Sequence, residues 1–381
     1  MSLSRPYDGI RVIDLTGELA AYATRLFANL GAEVIMVEPP DGREERKRDP
    51  LPGAEGYGGS AFVFLNAGKK SVTLDRSAAE GRAAFAALVA SAQIVVAEID
   101  AKALLPEILA VPGARVVTVV SHFGLDGPYA DYVGCDLVDQ SLGGIAWLSG
   151  RPGEPPLRLP GDQSAMVTSL YAAAATALAL WDLEAHGNGH LVDVSAQEAI
   201  AHSLQNAPQV WDLERRVLSR GGEGIRDATE DIFPCKDGHV FLAAPLSLPM
   251  SWKGVVEWMG EAGDSGFRRL SEPDWSDRPK RATAPYRVEF RRIFESFIAD
   301  KTREAMREQA LRRKIVMAPV ARVGDLIDDP QLIYRGFFSE IDHPALGRSL
   351  RFPGAPYRLS EPVWGIDNPA PSLGQHSADI A

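Results

Sequence analysis

Cysteine is nearly absent from this chain, whose 381 residues carry only Cys135 and Cys235. Two sulfurs far apart, with no paired Cys or Cys/His spacing, give neither a disulfide framework nor a zinc site, and point to a reducing compartment, the cytoplasm. A buried structural thiol is the default expectation for Cys135. Positive charge is also scarce. With 40 Lys and Arg against 51 Asp and Glu, the formal net charge is −11, which disfavours a nucleic-acid partner, because phosphate backbones require a clustered basic surface. Residues 1–20 hold no run of signal-peptide type. The most apolar segment, Met166 to Leu183, begins after a helix-start signal and carries Asp182, so it reads as a buried helix rather than a membrane span. The dinucleotide fingerprint is missing as well: Thr16-Gly17-Glu18-Leu19-Ala20-Ala21 follows the first predicted strand without Gly-x-Gly-x-x-Gly, which disfavours a nicotinamide dehydrogenase.

What remains is an ordinary globular composition, 45% hydrophobic and 24% charged, in a chain longer than one hydrophobic core usually supports. Strand-like Ile10–Leu15, a helical Tyr22–Leu30 ending at Gly31 and a second strand Val34–Val37 begin an alternation. It continues through a helix Ala78–Ser91, a strand Ile94–Ala97, a helix near Leu104–Leu109 and a strand Val116–Val120. This order predicts an α/β fold with a parallel sheet wrapped by helices. Further helices are expected at Asp136–Leu148, Gln163–Glu184 and Ala196–Asn206, with a strand Leu191–Val194 between the last two. Phe233 to Leu242 reads as a hairpin around Asp237-Gly238. The expected division is a large Rossmann-like domain from residues 1–210 and 321–381, a linker at 211–230, and a smaller α/β domain at 231–320.

The informative polar motif is Leu159-Pro160-Gly161-Asp162-Gln163-Ser164, at the mouth of the long alanine-rich helix. A helix N-terminus favours a carboxylate, so Asp162 is a candidate nucleophile; N-capping is the default reading of the same residue taken alone. Lys69-Lys70, presented by a turn before a strand, could face the phosphates of an anionic ligand or simply form a solvated basic turn. Gly221-Gly222-Glu223-Gly224 lies outside any strand-to-helix turn and suits a flexible connector. Trp147, Trp181, Trp211, Trp252 and Trp258 are candidate acyl-pocket residues, although packing is the commoner use of tryptophan.

In order along the chain, these pieces resemble the class III coenzyme A transferases (CaiB/BaiF family), which include formyl-CoA transferase and the carnitine CoA transferases. The resemblance runs from Tyr7-Asp8-Gly9-Ile10-Arg11-Val12-Ile13-Asp14-Leu15 through Asn66–Asp75, Ser121-His122-Phe123-Gly124 and Asp136-Leu137-Val138-Asp139-Gln140 to Pro369-Ala370-Pro371-Ser372-Leu373-Gly374. It implies an intertwined homodimer and a transfer of CoA from an acyl-CoA to a carboxylic acid, with Asp162 as catalytic nucleophile forming anhydride and thioester intermediates. For CoA it implies contacts at Thr16, Leu19 and Ala20, at Lys69 and Lys70, and at Arg46 or Arg43. No tightly bound cofactor is implied, and CoA enters as substrate; neither a membrane nor nucleic acid is an expected partner. Gly143 and Gly144 are candidate oxyanion donors by position, with close helix packing as their other reading.

The chain departs from the family pattern at two places. Ala21-Tyr22 stands where Gly-Pro is usual, and Ile99-Asp100-Ala101-Lys102 replaces an Arg-Pro-Gly segment, leaving Lys102 as a point charge instead of an arginine fork. Two alternatives therefore accompany the transferase reading. One is a 2-methylacyl-CoA racemase, against which stands Cys135 where a histidine base is expected. The other is a non-catalytic partner subunit, against which stands Asp162.

Overall fold

Val- and Ile-rich runs form six strands: β1 (Arg11–Leu15), β2 (Glu33–Glu38), β3 (Lys70–Thr73), β4 (Ile94–Glu98), β5 (Val116–Ser121) and β6 (His190–Ser195). All pair in parallel, in the order β3-β2-β1-β4-β5-β6. The computed structural model describes residues 5–51, 57–98, 103–151, 153–220 and 227–380. Every residue of β5 is buried, as expected of a parallel strand covered on both faces. The period-2 alternation of strand side chains divides the core. Val12, Val34, Ile94 and Val116 face one layer with Phe27, Ala172 and Leu180. Ile13, Ile35, Val95 and Val117 face the other with Phe85, Leu88 and Ile108.

The first layer contains α1 (Ala21–Asn29) and α7 (Gln163–His186). The second contains α3 (Ala79–Ala90) and α4 (Leu105–Ala110). Between β2 and β3 lies α2 (Ser60–Leu65). The single helix expected over 136–148 is broken into α5 (Asp136–Leu142) and α6 (Ile145–Leu148). Gly144, at φ 90°, interrupts it, a conformation that glycine adopts without steric cost. A Cβ on Gly143 would lie 2.5 Å from Ile200 Cγ2 in α8 (Ala196–His202), so Gly143 permits close helix packing.

Helix α7 is buried on one face only. Its inner side presents Ser164, Ala165, Thr168, Ala172, Thr176 and Leu180, while Leu170, Leu178 and Trp181 are 53%, 73% and 68% exposed. The wholly buried helix expected from its composition is thus half right: small residues meet the sheet, and large apolar ones point outward. It is the one helix among the described residues long and apolar enough to cross a membrane.

By contacts the chain divides into two compact units, Met1–Arg220 with Gln331–Ala381, and Gly221–Pro330. In the second unit, β7 (Asp231–Cys235) and β8 (Gly238–Ala243) form the hairpin, joined by a third strand, β9 (Val316–Pro319). Phe233, Trp258, Trp275, Phe290 and Phe294 make its core. Helix α9 (Ala207–Glu214) runs into the expected linker, and Gly221–Gly224 lie outside the described residues. The C-terminal part of the first unit carries an antiparallel hairpin, β10 (Phe338–His343) and β11 (Arg348–Pro353).

Candidate active site

The sheet order reverses between β1 and β4, and in doubly wound sheets ligands bind outside the carboxyl ends of the strands at such a point. Here that crevice is occupied by the chain's own side chains. The Arg43 guanidinium donates to the carbonyl oxygens of Thr16, Asp14 (2.6 Å) and Val37 (3.0 Å), closing over the ends of β1 and β2. Glu98, at the end of β4, accepts from the Ala20 amide at 2.8 Å. Its carboxylate approaches Gly17 so closely that a Cβ there would meet Glu98 Oε2 at 2.7 Å and Glu45 Oε1 at 2.8 Å. Burial pushes Glu98 up to about 7, opposed by the Ala20 amide and reinforced by Glu45.

Beneath this turn Asp14 is fully buried. It accepts from Thr16 N at 2.8 Å, Thr16 Oγ1 at 2.7 Å and Thr24 Oγ1 at 2.8 Å, and pairs with Lys69 Nζ at 2.7 Å. Burial alone would raise its carboxyl, but the cations Lys69 and Arg43 outweigh that and hold it below the usual carboxylate range. Burial lowers Lys69 in turn, with Asp14 opposing.

A cavity of about 200 Å³ opens beside the crevice, lined by Thr16, Arg43, Arg48, Ser60, Asn66 and Asp162 among others. For comparison, an apolar cavity of about 150 Å³ holds benzene, so the space suits a small acid or the reacting end of a longer molecule. Asp162 stands at the N-cap position of α7 with φ −93° and ψ 67°, but makes no side-chain capping bond. That task falls to Asp136, in the first turn of α5, whose Oδ1 accepts from Ser164 N at 3.0 Å and Ser164 Oγ at 2.9 Å. Its Oδ2 accepts from Gln140 Nε2 at 2.8 Å, and Gln140 Oε1 receives the Leu159 amide at 2.8 Å. The loop carrying Asp162 is therefore held from both sides, while the Asp162 carboxylate is exposed on the cavity.

Among the residues expected to meet CoA, Thr16 and Arg43 line this cavity; Leu19 and Ala20 are 7% and 0% exposed. Lys69 was expected to offer its ammonium to a phosphate; its side chain has 0% exposure and is paired with Asp14. Arg46 forms a bidentate pair with Glu38 at 2.6 and 2.7 Å and donates to the Tyr57 and Pro371 carbonyls. Lys70 bonds to Glu33 at 2.6 Å and borders a separate cavity with His376. All three carry internal partners. Lys102 lies outside the described residues. Cys135 is exposed, contrary to the buried thiol expected, because it precedes α5 as an extended N-cap residue. None of the seven tryptophans lines the Asp162 cavity. Trp258 instead packs in the core of the second unit, and Trp147, Trp181 and Trp211 are exposed. Arg48, Glu98 and the capping role of Asp136 were missed.

A doubly wound parallel sheet with a carboxylate presented on a cleft beside its switch point defines an α/β enzyme scaffold. The model of CoA-transferase family III matches residues 7–377, and the chain belongs to that family. It is 34% identical to the succinyl-CoA:(R)-benzylsuccinate CoA-transferase subunit BbsE of Thauera aromatica, covering 99% of this chain and 94% of that one. It is 28% identical to the succinyl-CoA–D-citramalate CoA-transferase of Chloroflexus aurantiacus, covering 99% and 93%. A CaiB/BaiF family protein from Brucella suis shares the fold with a TM-score of 0.88 at 24% identity, covering 99% of each chain. The protein is thus a CoA-transferase, and these relatives support transfer, not the racemase alternative.

Proposed function

We propose that Asp162 is the nucleophile of the transfer, with succinyl-CoA as donor and a carboxylic acid as acceptor. The observation that carries this is the assignment of helix capping to Asp136, which leaves the Asp162 carboxylate free on the cavity. Both named transferase relatives draw CoA from succinyl-CoA.

The chemistry balances without a redox step. An Asp162 oxygen attacks the thioester carbonyl, the C–S bond breaks, and CoA thiolate leaves from a mixed anhydride. The thiolate then attacks the aspartyl carbonyl, releasing the donor acid and leaving an aspartyl-CoA thioester. The acceptor carboxylate attacks that thioester, giving a second anhydride. Returning thiolate takes the acceptor acyl group and regenerates Asp162. Keeping thiolate and anhydride within one cleft protects both from water and supplies proximity. Thr16 and Arg43, on the same cavity, are the expected CoA contacts that line it, Arg43 while also clasping the strand ends; Arg46 and Lys69 serve the fold.

The outer face of α7 leaves the large apolar side chains Leu170, Leu178 and Trp181 exposed, the kind of face that a protein interface covers, and we assign it to a second copy of this chain. A distinct partner subunit is the second reading, because the relative BbsE is named as a subunit. Gel filtration separates these readings, since an active homodimer supports the first and a chain inactive alone supports the second. The two free cysteines suit a reducing cytoplasm.

The deciding experiment is mass spectrometry of the Asp162 peptide after incubation with succinyl-CoA, with and without hydroxylamine. A CoA adduct or hydroxamate on Asp162, absent in Asp162→Ala, is expected; substantial turnover by that variant would overturn the assignment.

A further inference from the structure

Arginine is the cation best shaped to grip a carboxylate, through its planar fork, and two arginines line the Asp162 cavity. They differ in what they already hold. Arg43 is 12% exposed by side chain and donates to three backbone carbonyls. It is a structural clasp, and withdrawing it would expose the strand ends. Arg48 is 64% exposed and pairs with Glu18, itself 39% exposed and on the same cavity wall. A pair this open contributes little to stability, because solvent competes for both partners, so an incoming carboxylate can replace Glu18 at small cost.

The backbone around Arg48 is held in place. A bridge pairs Pro50 with Gly59, and a Cβ on Gly59 would lie 2.5 Å from the Arg48 carbonyl oxygen and 2.6 Å from that of Asp49. Gly59 therefore lets the two segments touch and sets the position from which Arg48 reaches the cavity. Meanwhile the other charged residues on the wall, Arg43 apart, are all acidic: Glu18, Glu45, Asp49 and Asp162. Those four carboxylates disfavour a second substrate carboxylate nearby, and the exposed cation Arg48 is the charged group on the wall that favours one.

We infer that Arg48 is a specificity residue that receives the distal carboxylate of a dicarboxylic acceptor, exchanging its Glu18 partner for the substrate while the proximal carboxylate reacts at the aspartyl thioester. This rests on Asp162 as nucleophile. Since donor acid and acceptor acid occupy the site in turn, one cation serves both, and succinate leaving the first half-reaction vacates the place that the acceptor's far end takes in the second.

The test uses the full chain with succinyl-CoA as the constant donor and glutarate or valerate as acceptor, five-carbon acids with two carboxylates and one. In this double-displacement scheme kcat/KM for the acceptor reports the second half-reaction alone. Arg48→Gln should reduce the glutarate-to-valerate ratio of kcat/KM about tenfold or more, through loss of a charge-assisted bond, with Arg48→Lys recovering part of it. Glu18→Gln, which removes the competing carboxylate, should lower KM for glutarate. Adduct formation at Asp162 keeps the two claims apart. An intact Asp162 adduct with an unmoved ratio overturns the role of Arg48, whereas turnover by Asp162→Ala overturns the reading beneath it. Equal losses for both acids, or a wild-type preference for valerate, would also overturn the inference.

Discussion

Asp136 and Ser164 are joined by two hydrogen bonds to one carboxylate oxygen, from the Ser164 amide at 3.0 Å and its hydroxyl at 2.9 Å. The first turn of a helix has amides with no partner inside the helix, and in α7 one of them is satisfied from α5 rather than from the N-cap residue. Two aspartates that look interchangeable in sequence are thereby separated into a capping group and a free carboxylate.

Their removal should have opposite signatures. Asp136→Ala deletes a cap and is expected to cost about 0.5–2 kcal/mol, read as a lower urea midpoint with unchanged slope. Asp162→Ala, whose side chain makes no capping bond, should leave the midpoint within about 0.5 kcal/mol of wild type while abolishing transfer. A large stability loss in Asp162→Ala would return that residue to the capping role.

Lys69 offers a second separation, between ligand binding and fold maintenance. Its ammonium is buried against Asp14 at 2.7 Å and also donates to Asn66 Oδ1 at 2.8 Å and the Ala21 carbonyl at 3.0 Å. Lys69→Met strands a buried carboxylate, which typically costs about 3–5 kcal/mol. Urea denaturation should show that loss. A variant of native stability with a raised KM for succinyl-CoA would instead restore Lys69 as a CoA contact.

Elements that bury a continuous apolar run were legible in sequence. The Val- and Ile-rich strands β1, β2, β4 and β5 and the helices α1, α3 and α7 lie within a few residues of their expected ends, because strand composition and helical spacing are local properties. Helix α2 (Ser60–Leu65) was not assigned, and its run Ser-Ala-Phe-Val-Phe-Leu is too short for a period to register. The site was legible only in part. Asp162 is marked by its place before a long helix, but the partner that frees it, Asp136, lies 28 positions before the Ser164 that it caps. Lys69 and Lys70 read alike, yet one faces inward to Asp14 on β1 and the other outward to Glu33 on β2, a distinction set by the sheet. Arg48 sits in a charged stretch whose exposure, beside a cavity rather than open solvent, exists only after folding.

Glu98 titrates in a range where its effect on stability can be read directly. Its value rises from an ordinary 4.5 to about 7, first through burial, with Glu45 adding to the rise and the Ala20 and Gly17 amides and Arg43 opposing it. For an acid raised on folding, the folded chain keeps a proton between those limits that the unfolded chain has released. Stability from this group is therefore highest below about pH 4.5, falls as pH rises toward 7, and is flat above. Glu98→Gln keeps a carbonyl to accept the Ala20 amide and removes the titration. The difference in unfolding free energy between variant and wild type should grow by roughly 1–3 kcal/mol in favour of the variant across that window. Measuring the pair by urea melts at half-unit pH steps cancels titrations common to both proteins; a difference that stays constant with pH would mean that the Glu98 carboxylate is already ionised throughout.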